Sequence, residues 1–383
     1  MKHDPAVMPR PFPKYLEAEH GIVCRLPTSE RFSYFGWPTV ERLDDGMLIV
    51  GSSGLRSYHV CPFGKTVLNV SRDNGKTWSE PRVIQKSLID DRDVGLVNLG
   101  GNRVLATWFR HDTRTMGRES WIPEGERTTW DATFATWTDA KVNELLGSWT
   151  MLSEDGGATW GAPIRAPVSA PHGPIRLRDG RLLYLGRPMG AGVDPIKETT
   201  EAWQSADSGR TWQLLGKVPA AQGARIVNNE EPHVLELPDG RLIGMIRFEK
   251  CGSDDPALAA GHVHFRMYQT DSSDGGRTWS EPRSLGFHGS PPHLLRHASG
   301  LLVLTYGYRQ KPYGQRVAFS RDDGRTWEHD WVIRDDAPEG DLGYPSTVEL
   351  GDGSLFSVYY QKVAKGEKCS LLWSRWNLPA GRR

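Results

Sequence analysis

The chain has no excess of charge of either sign: Lys+Arg and Asp+Glu each total 47 among 383 residues. A global field that would gather nucleic acid or an anionic membrane surface is therefore missing. It also lacks any apolar run near the roughly 18 residues that a membrane helix needs. The first residues, with Lys2, Asp4, Pro5, Pro11 and Pro13, have no apolar core of the signal-peptide kind. Cysteine is scarce. The four present (Cys24, Cys61, Cys251 and Cys369) form no CxxC pair and are too sparse for a disulfide framework. Reduced thiols in a cytoplasmic protein are the expectation. Cys and His show no zinc spacing, and no glycine-rich phosphate loop leads into a helix, so neither a metal nor a cofactor is expected.

What the chain does have is 42 Gly, 15 Trp and a repeat. Ser-x-Asp-x-Gly-x-Thr-Trp occurs five times, at Ser71–Trp78, Ser153–Trp160, Ser205–Trp212, Ser272–Trp279 and Ser320–Trp327. Each copy reads as a hairpin turn. Asp folds its carboxylate onto nearby backbone N–H groups, Gly accepts positive φ, and Thr-Trp re-enters a strand. A second pattern interleaves with it: an apolar strand, a polar-Gly turn and another apolar strand. Its turns fall at Gly46, Gly100-Gly101, Gly180, Gly240, Gly300 and Gly353. Repeats at this interval belong to propellers, solenoids or arrays, and Asp-Gly between apolar runs is a strong hairpin signal.

Six hairpins, five of them followed by the octapeptide, predict six four-stranded blades, with the octapeptide as the turn between strands three and four. The sixth blade lacks that turn, and Gly21-Ile-Val-Cys-Arg-Leu is expected to supply its outermost strand, removing a free edge. Residues 111–146 read as one long insertion in the second blade, of the kind that forms a lid, specificity loop or interface. No linker appears elsewhere, so residues 1–383 are expected to form one domain. The octapeptides are Asp boxes (BNR repeats), and the chain resembles the sialidase-like propellers: an all-β, six-bladed β-propeller of the sialidase type with five Asp boxes.

In a propeller, the start of each innermost strand and the loop after the second strand face one end of the channel, where sites are built. Blade four reads Asn228-Asn-Glu230-Glu231-Pro-His233 and ends its second strand at Arg247; blade five ends Leu304-Thr-Tyr306-Gly-Tyr308-Arg309; blade six begins Asp341-Leu-Gly-Tyr344. These three segments are similar in register to sialidases. The resemblance implies that Tyr344 is a nucleophile, Glu231 its base partner, and Arg247 and Arg309 two members of a carboxylate-binding triad. The residue types fit the chemistry. A neutral Tyr deprotonated by Glu avoids repulsion from a carboxylate on the anomeric carbon, and Arg supplies flat forks for that carboxylate.

The departures matter as much. Where the family has an Arg before Ile-Pro in blade one, this chain has Phe35-Gly36-Trp37-Pro38. Where the family braces that Arg with a Glu after the blade-six hairpin, Gln361 stands. Charge and countercharge have gone together, which avoids an unpaired buried carboxylate, and Trp37 is expected to stack on a sugar. The family's acid, an Asp on the blade-one loop, has no counterpart between Gly54 and Lys65. Arg56 matches an active-site Arg, and His59, which titrates near neutrality, is the replacement acid. Blade two offers Asp91 or Asp93 for substrate contact or as the acid, with Arg92 and Arg110 as binding residues, against the plain alternative of a salt-bridged turn. Blade three offers His172 and Arg187.

The leading expectation is an exo-acting glycoside hydrolase releasing a terminal acidic sugar, whether sialic, another ulosonic or a uronic acid. The runner-up is a polysaccharide lyase acting on uronates by β-elimination with His59, Tyr344 and the arginines. A non-catalytic glycan-binding propeller is the third. All three take an acidic carbohydrate as partner.

Overall fold

The repeat's turn chemistry decides the architecture. In a computed structural model that describes residues 13–115, 122–194, 197, 199–249 and 252–379, the strands form six antiparallel sheets in chain order. Blade one is Tyr34–Arg42, Leu48–Arg56, Lys65–Ser71 and Arg82–Gln85. Blade two is Asp90–Gly100, Arg103–His111, Gly147–Ser153 and Ile164–Ala166. Blades three, four and five repeat the pattern from Ile175, Asn229 and Pro292. Blade six takes Gly343–Glu349, Leu355–Gln361 and Ser370–Trp376, and its fourth strand is Ala18–Cys24, paired antiparallel with Ser370–Trp376. First strands of neighbouring blades pack side by side, and Gly343–Glu349 meets Tyr34–Arg42 to close the ring. A short strand the sequence pattern does not announce, Lys14–Tyr15, adds parallel to the outer edge of blade five.

All five octapeptides sit between strands three and four and make the same bonds. In the first, Gly75 N donates to Ser71 Oγ at 2.9 Å, Thr77 N donates to Asp73 Oδ1 at 2.9 Å, and Thr77 Oγ1 donates to Oδ2 at 2.6 Å. These donors hold the Asp73 carboxyl down at about 2. The equivalent bonds recur at Asp155, Asp207, Asp274 and Asp322. Each box also wedges against the preceding blade. A Cβ on Gly75 would lie 2.4 Å from the Phe356 ring of blade six, and one on Gly157 3.1 Å from Leu68 of blade one.

The insertion departs from strand structure. It forms two helices, Glu124–Phe134 and Asp139–Leu145, the second capped by Thr138 Oγ1 accepting from Lys141 N. Trp130 is buried with Cys61 and Ile122, while Trp137 and Val142 are buried against Ile89. The insertion thus packs onto the loops of blades one and two at the end of the propeller where the polar residues gather.

Candidate active site

Four of the innermost strands carry Trp37, Asp93, Glu231 and Tyr344, each nine residues ahead of its turn residue Gly46, Asn102, Gly240 or Gly353. All four have positive φ, at 54°, 50°, 40° and 53°. The strand pairing shifts at the same place in each blade. A bulge re-aims a side chain out of the sheet's alternation, and left-handed backbone on bulky residues is strain of the kind that collects at functional sites.

At the centre, Tyr344 Oη donates to Glu231 Oε1 at 2.5 Å, and Arg247 Nη1 donates to Tyr344 Oη at 3.0 Å and to Glu231 Oε2. Arg247 Nη2 also pairs with Glu249 Oε2 at 2.7 Å. Burial drives the Tyr344 phenol far above its ordinary value and the Glu231 charge adds to it, while Arg247 and Arg309 oppose. The phenol is therefore neutral at rest, with its proton already aimed at a carboxylate.

Arg309 stands beside this group. Its Nε donates to Leu342 O at 3.1 Å, and its guanidinium lies 5.7 Å from the Tyr344 ring and 5.5 Å from that of Phe265. Among the described residues it forms no ion pair, whereas Arg187 pairs with Glu230 and Arg247 with Glu231 and Glu249. Asp93 faces Glu231 and Tyr344 and is almost sealed, with Oδ1 lacking a hydrogen-bond partner. Burial, backed by the charges of Glu231 and Asp90, pushes its carboxyl up against the pull of Arg92 and Arg56. His59 lies on the blade-one loop, with Nδ1 3.0 Å from Asp341 Oδ1 and 2.9 Å from Tyr34 Oη. Burial lowers its imidazole and Asp341 opposes that. With 40 % of the side chain open to solvent, the penalty for charging the ring is smaller than it would be on an enclosed one.

Several expected site residues serve the scaffold instead. Arg56 is 0 % exposed and grips Asp90 with both Nη atoms at 2.5 and 2.7 Å, so no substrate reaches it. Asp91 is equally sealed, accepting from Trp108 Nε1 and Arg110 Nε at 3.0 Å each, which removes it as an acid despite a carboxyl pushed up to about 6 by burial. Arg110 is spent on that bond and on the Trp149 face, 4.2 Å away. Trp37 is 1 % exposed, covered by Arg92 at 4.3 Å and by the His59 ring edge at 4.9 Å. It fills the place of the absent Arg rather than offering a platform. Arg92 stays at the pocket wall, near Asp90 at 3.6 Å. Gln361 faces away, donating from Nε2 to Asp336 at 3.3 Å.

The residue that faces the site from that strand is Tyr360, one position earlier, packed 5.8 Å from both Trp37 and Tyr344. It stands seven residues after Gly353, as Arg187 follows Gly180 and Arg247 follows Gly240. Counting from the turn would have found it. Asp341 and Tyr34 were also missed as site residues, and no local motif marks them. Of the blade-three candidates, His172 joins His233 and His293 on the channel axis, and Arg187 is tied to Glu230. Three cysteines, Cys24, Cys61 and Cys369, are free and buried. Among the described residues no cluster of His, Cys, Asp or Glu is arranged to hold a metal ion, and no helix is long and apolar enough to cross a membrane.

Comparison with known proteins agrees with this architecture. A protein of unknown function from Dyadobacter fermentans superimposes with a TM-score of 0.74 at 22% identity, covering 94% of this chain and 98% of its own. The NanB sialidase of Streptococcus pneumoniae gives 0.66 at 14% identity over 94% of this chain and 70% of its own. The intramolecular trans-sialidase of Ruminococcus gnavus gives 0.61 at 16% over 93% and 97%. At these identities the likeness speaks to the fold. Residues 70–80 match the BNR/Asp-box repeat, and residues 128–357, more than half of the chain, match the BNR repeat-like domain. The chain belongs to the BNR repeat-like family, and its fold is the six-bladed propeller that it shares with these sialidases.

Proposed function

We propose that the protein is an exo-acting glycoside hydrolase that releases a terminal acidic sugar through a tyrosine nucleophile. The observation that carries this reading is the hydrogen-bonded group of Tyr344, Glu231 and Arg247 beside the guanidinium of Arg309, which forms no ion pair among the described residues. Tyr344 attacks the anomeric carbon while its proton passes to Glu231. The C–O bond to the leaving group breaks, and that oxygen takes a proton from an acid in the pocket. Water then attacks the same carbon and gives a proton to the deprotonated acid, while the Tyr344 C–O bond breaks and the phenol regains its proton from Glu231. His59 and Asp93 are the two candidates for the acid. Arg309 binds the substrate carboxylate. A carbohydrate substrate is supported by the glycan-processing proteins that share the fold, two of them sialidases.

The test is incubation with sialosides, other ulosonic acid glycosides and uronate-terminated oligosaccharides, with products followed by mass. Products that together gain one water are expected, and Tyr344→Phe should lower kcat by at least ~10³-fold, as removal of a nucleophile does. One observation favours a second reading. His59, partly exposed and held at Nδ1 by a carboxylate, has the arrangement of a base for the C5 proton of a uronate. β-Elimination would leave an unsaturated product without added water, and that result would replace hydrolysis as the assignment.

A further inference from the structure

The surroundings of His59 fix more than its position. Asp341 accepts from Tyr34 Oη, which lies 3.2 and 3.1 Å from its two oxygens, and from Cys369 Sγ at 3.4 Å. Tyr34 has one proton and gives it to Asp341. The short approach of His59 Nδ1 to Asp341 Oδ1 therefore requires the imidazole proton on Nδ1, with Tyr34 Oη as its second acceptor. That leaves Nε2, which has no hydrogen-bond partner among the described residues, on a side chain with 40 % of its surface open.

The loop carrying His59 is braced from behind by the insertion. Cys61 is buried with Ile122 and Trp130, and the Tyr58 and Trp130 rings meet edge to face at 6.3 Å. Glu126 accepts two bonds from Arg31 at 3.0 Å and one from Trp130 Nε1 at 2.8 Å. On the other side, Asp341 precedes Tyr344 by three residues in one segment.

Resting on the hydrolase reading, we propose that Asp341 and Tyr34 are positioning residues that fix His59 with Nε2 toward the pocket, making His59 the group that gives and later retakes the proton at the leaving oxygen. In the first half, protonated His59 releases Nε2–H to the glycosidic oxygen as its bond to the anomeric carbon breaks and the Tyr344 oxygen bonds that carbon. In the second, water attacks the same carbon, its proton passes to Nε2, and the Tyr344 C–O bond breaks. The charged groups facing His59 act in both directions: Asp341 favours the imidazolium, while Arg92 and Arg309 disfavour it.

The first test needs no substrate. In the full-length protein labelled with ¹⁵N-histidine, with His59→Gln assigning one of the 12 histidines, neutral His59 should be the Nδ1–H tautomer. A dominant Nε2–H form would overturn the proposal even if the protein proves to be a hydrolase. The second test uses a turned-over glycoside. Asp341→Asn should lower kcat on the order of 10²-fold and move the alkaline limb of kcat/KM to lower pH by about one unit or more, because it removes the charge that holds the proton. Asp341→Glu should restore part of both. An unmoved limb in Asp341→Asn, or a limb that shifts in Asp93→Asn instead, assigns the proton to Asp93 and sinks the idea. If no glycoside is turned over, the hydrolase reading fails and the tautomer measurement still stands.

Discussion

At the residue scale the site is a contest for arginines. Arg247 is held by two carboxylates and a phenol, Arg187 by Glu230, and Arg56 by Asp90. Only Arg309 combines a place beside Tyr344 with no carboxylate partner among the described residues. If it binds the substrate carboxylate, Arg309→Gln should raise KM by roughly 10- to 100-fold, the worth of a charged hydrogen bond of about 1.5–3 kcal/mol. The methyl ester of the same substrate should show little difference between wild type and variant. An equal loss on acid and ester would place the carboxylate elsewhere. That Tyr344, Glu231, Arg247 and Arg309 would lie together was legible because the family register singles out their positions. Tyr360 was not, because one residue of register turns a side chain to the opposite face of a strand, and Gln361 looked like the chemical substitute for a missing Glu. Trp37 was misjudged for a different reason. Its type suggests a sugar platform, and only packing reveals that Arg92 already covers its face.

At the element scale, six hairpins and five Asp boxes were readable because turn chemistry is local: Asp, Gly and Thr satisfy one another within eight residues. That the segment beginning at Gly21 closes the sixth blade was readable, since a three-stranded blade leaves an edge, but the strand itself starts and ends earlier, at Ala18–Cys24. The helices of the insertion were not, because charge and Trp gave no clean apolar period. What the Asp boxes add beyond the turn is contact with the preceding blade, and this can be isolated. Gly75 and Gly353 have nearly equal φ, +84° and +80°, but a Cβ would meet the Phe356 ring at 2.4 Å in the first and nothing within 4 Å in the second. Gly353→Ala should therefore cost only the left-handed backbone, about 1–2 kcal/mol. Gly75→Ala should cost a further 1–3 kcal/mol, roughly, for overpacking at the junction where blade six meets blade one. Urea denaturation midpoints of the two variants measure the difference, and equal losses would show that the box does not wedge the blades.

At the scale of the whole molecule, the channel axis holds three histidines where a propeller could have used apolar side chains. His172, His233 and His293 come from blades three, four and five, with ring centroids 4.5–5.7 Å apart. His233 Nδ1 accepts from Leu294 N at 3.0 Å, and His293 Nδ1 accepts from Thr347 N at 3.4 Å, so each is tied to the next blade as a neutral ring. Thr39 of blade one lies 3.0 Å from His172 Nδ1, which carries the bonding across the channel. The bonds from Leu294 N and Thr347 N need a lone pair on Nδ1, and a protonated ring has none to give. Burial accordingly holds all three below the ordinary histidine value, His233 down to about 3. The sign of the consequence follows from proton counting. Above pH ~6.5 both folded and unfolded chains carry these rings neutral, and they leave stability independent of pH. Below it the unfolded chain binds protons that the folded chain refuses, so stability falls as pH drops toward the folded values, by up to about 1.4 kcal/mol per pH unit for each ring. The Asp-box carboxylates also weaken the fold in acid, but only below their unfolded value near pH 4. Between about pH 6 and 4.5 the channel histidines therefore weaken the fold together with buried His111, against the carboxyls of Glu41 and Asp91 that burial raises. Replacing His233 with Gln, which keeps an acceptor for Leu294 N, should reduce the loss of unfolding free energy across that window by the share of one ring, up to about 1.4 kcal/mol per pH unit. The same slope in variant and wild type would mean that the channel hydrates and admits protons without opening the ring.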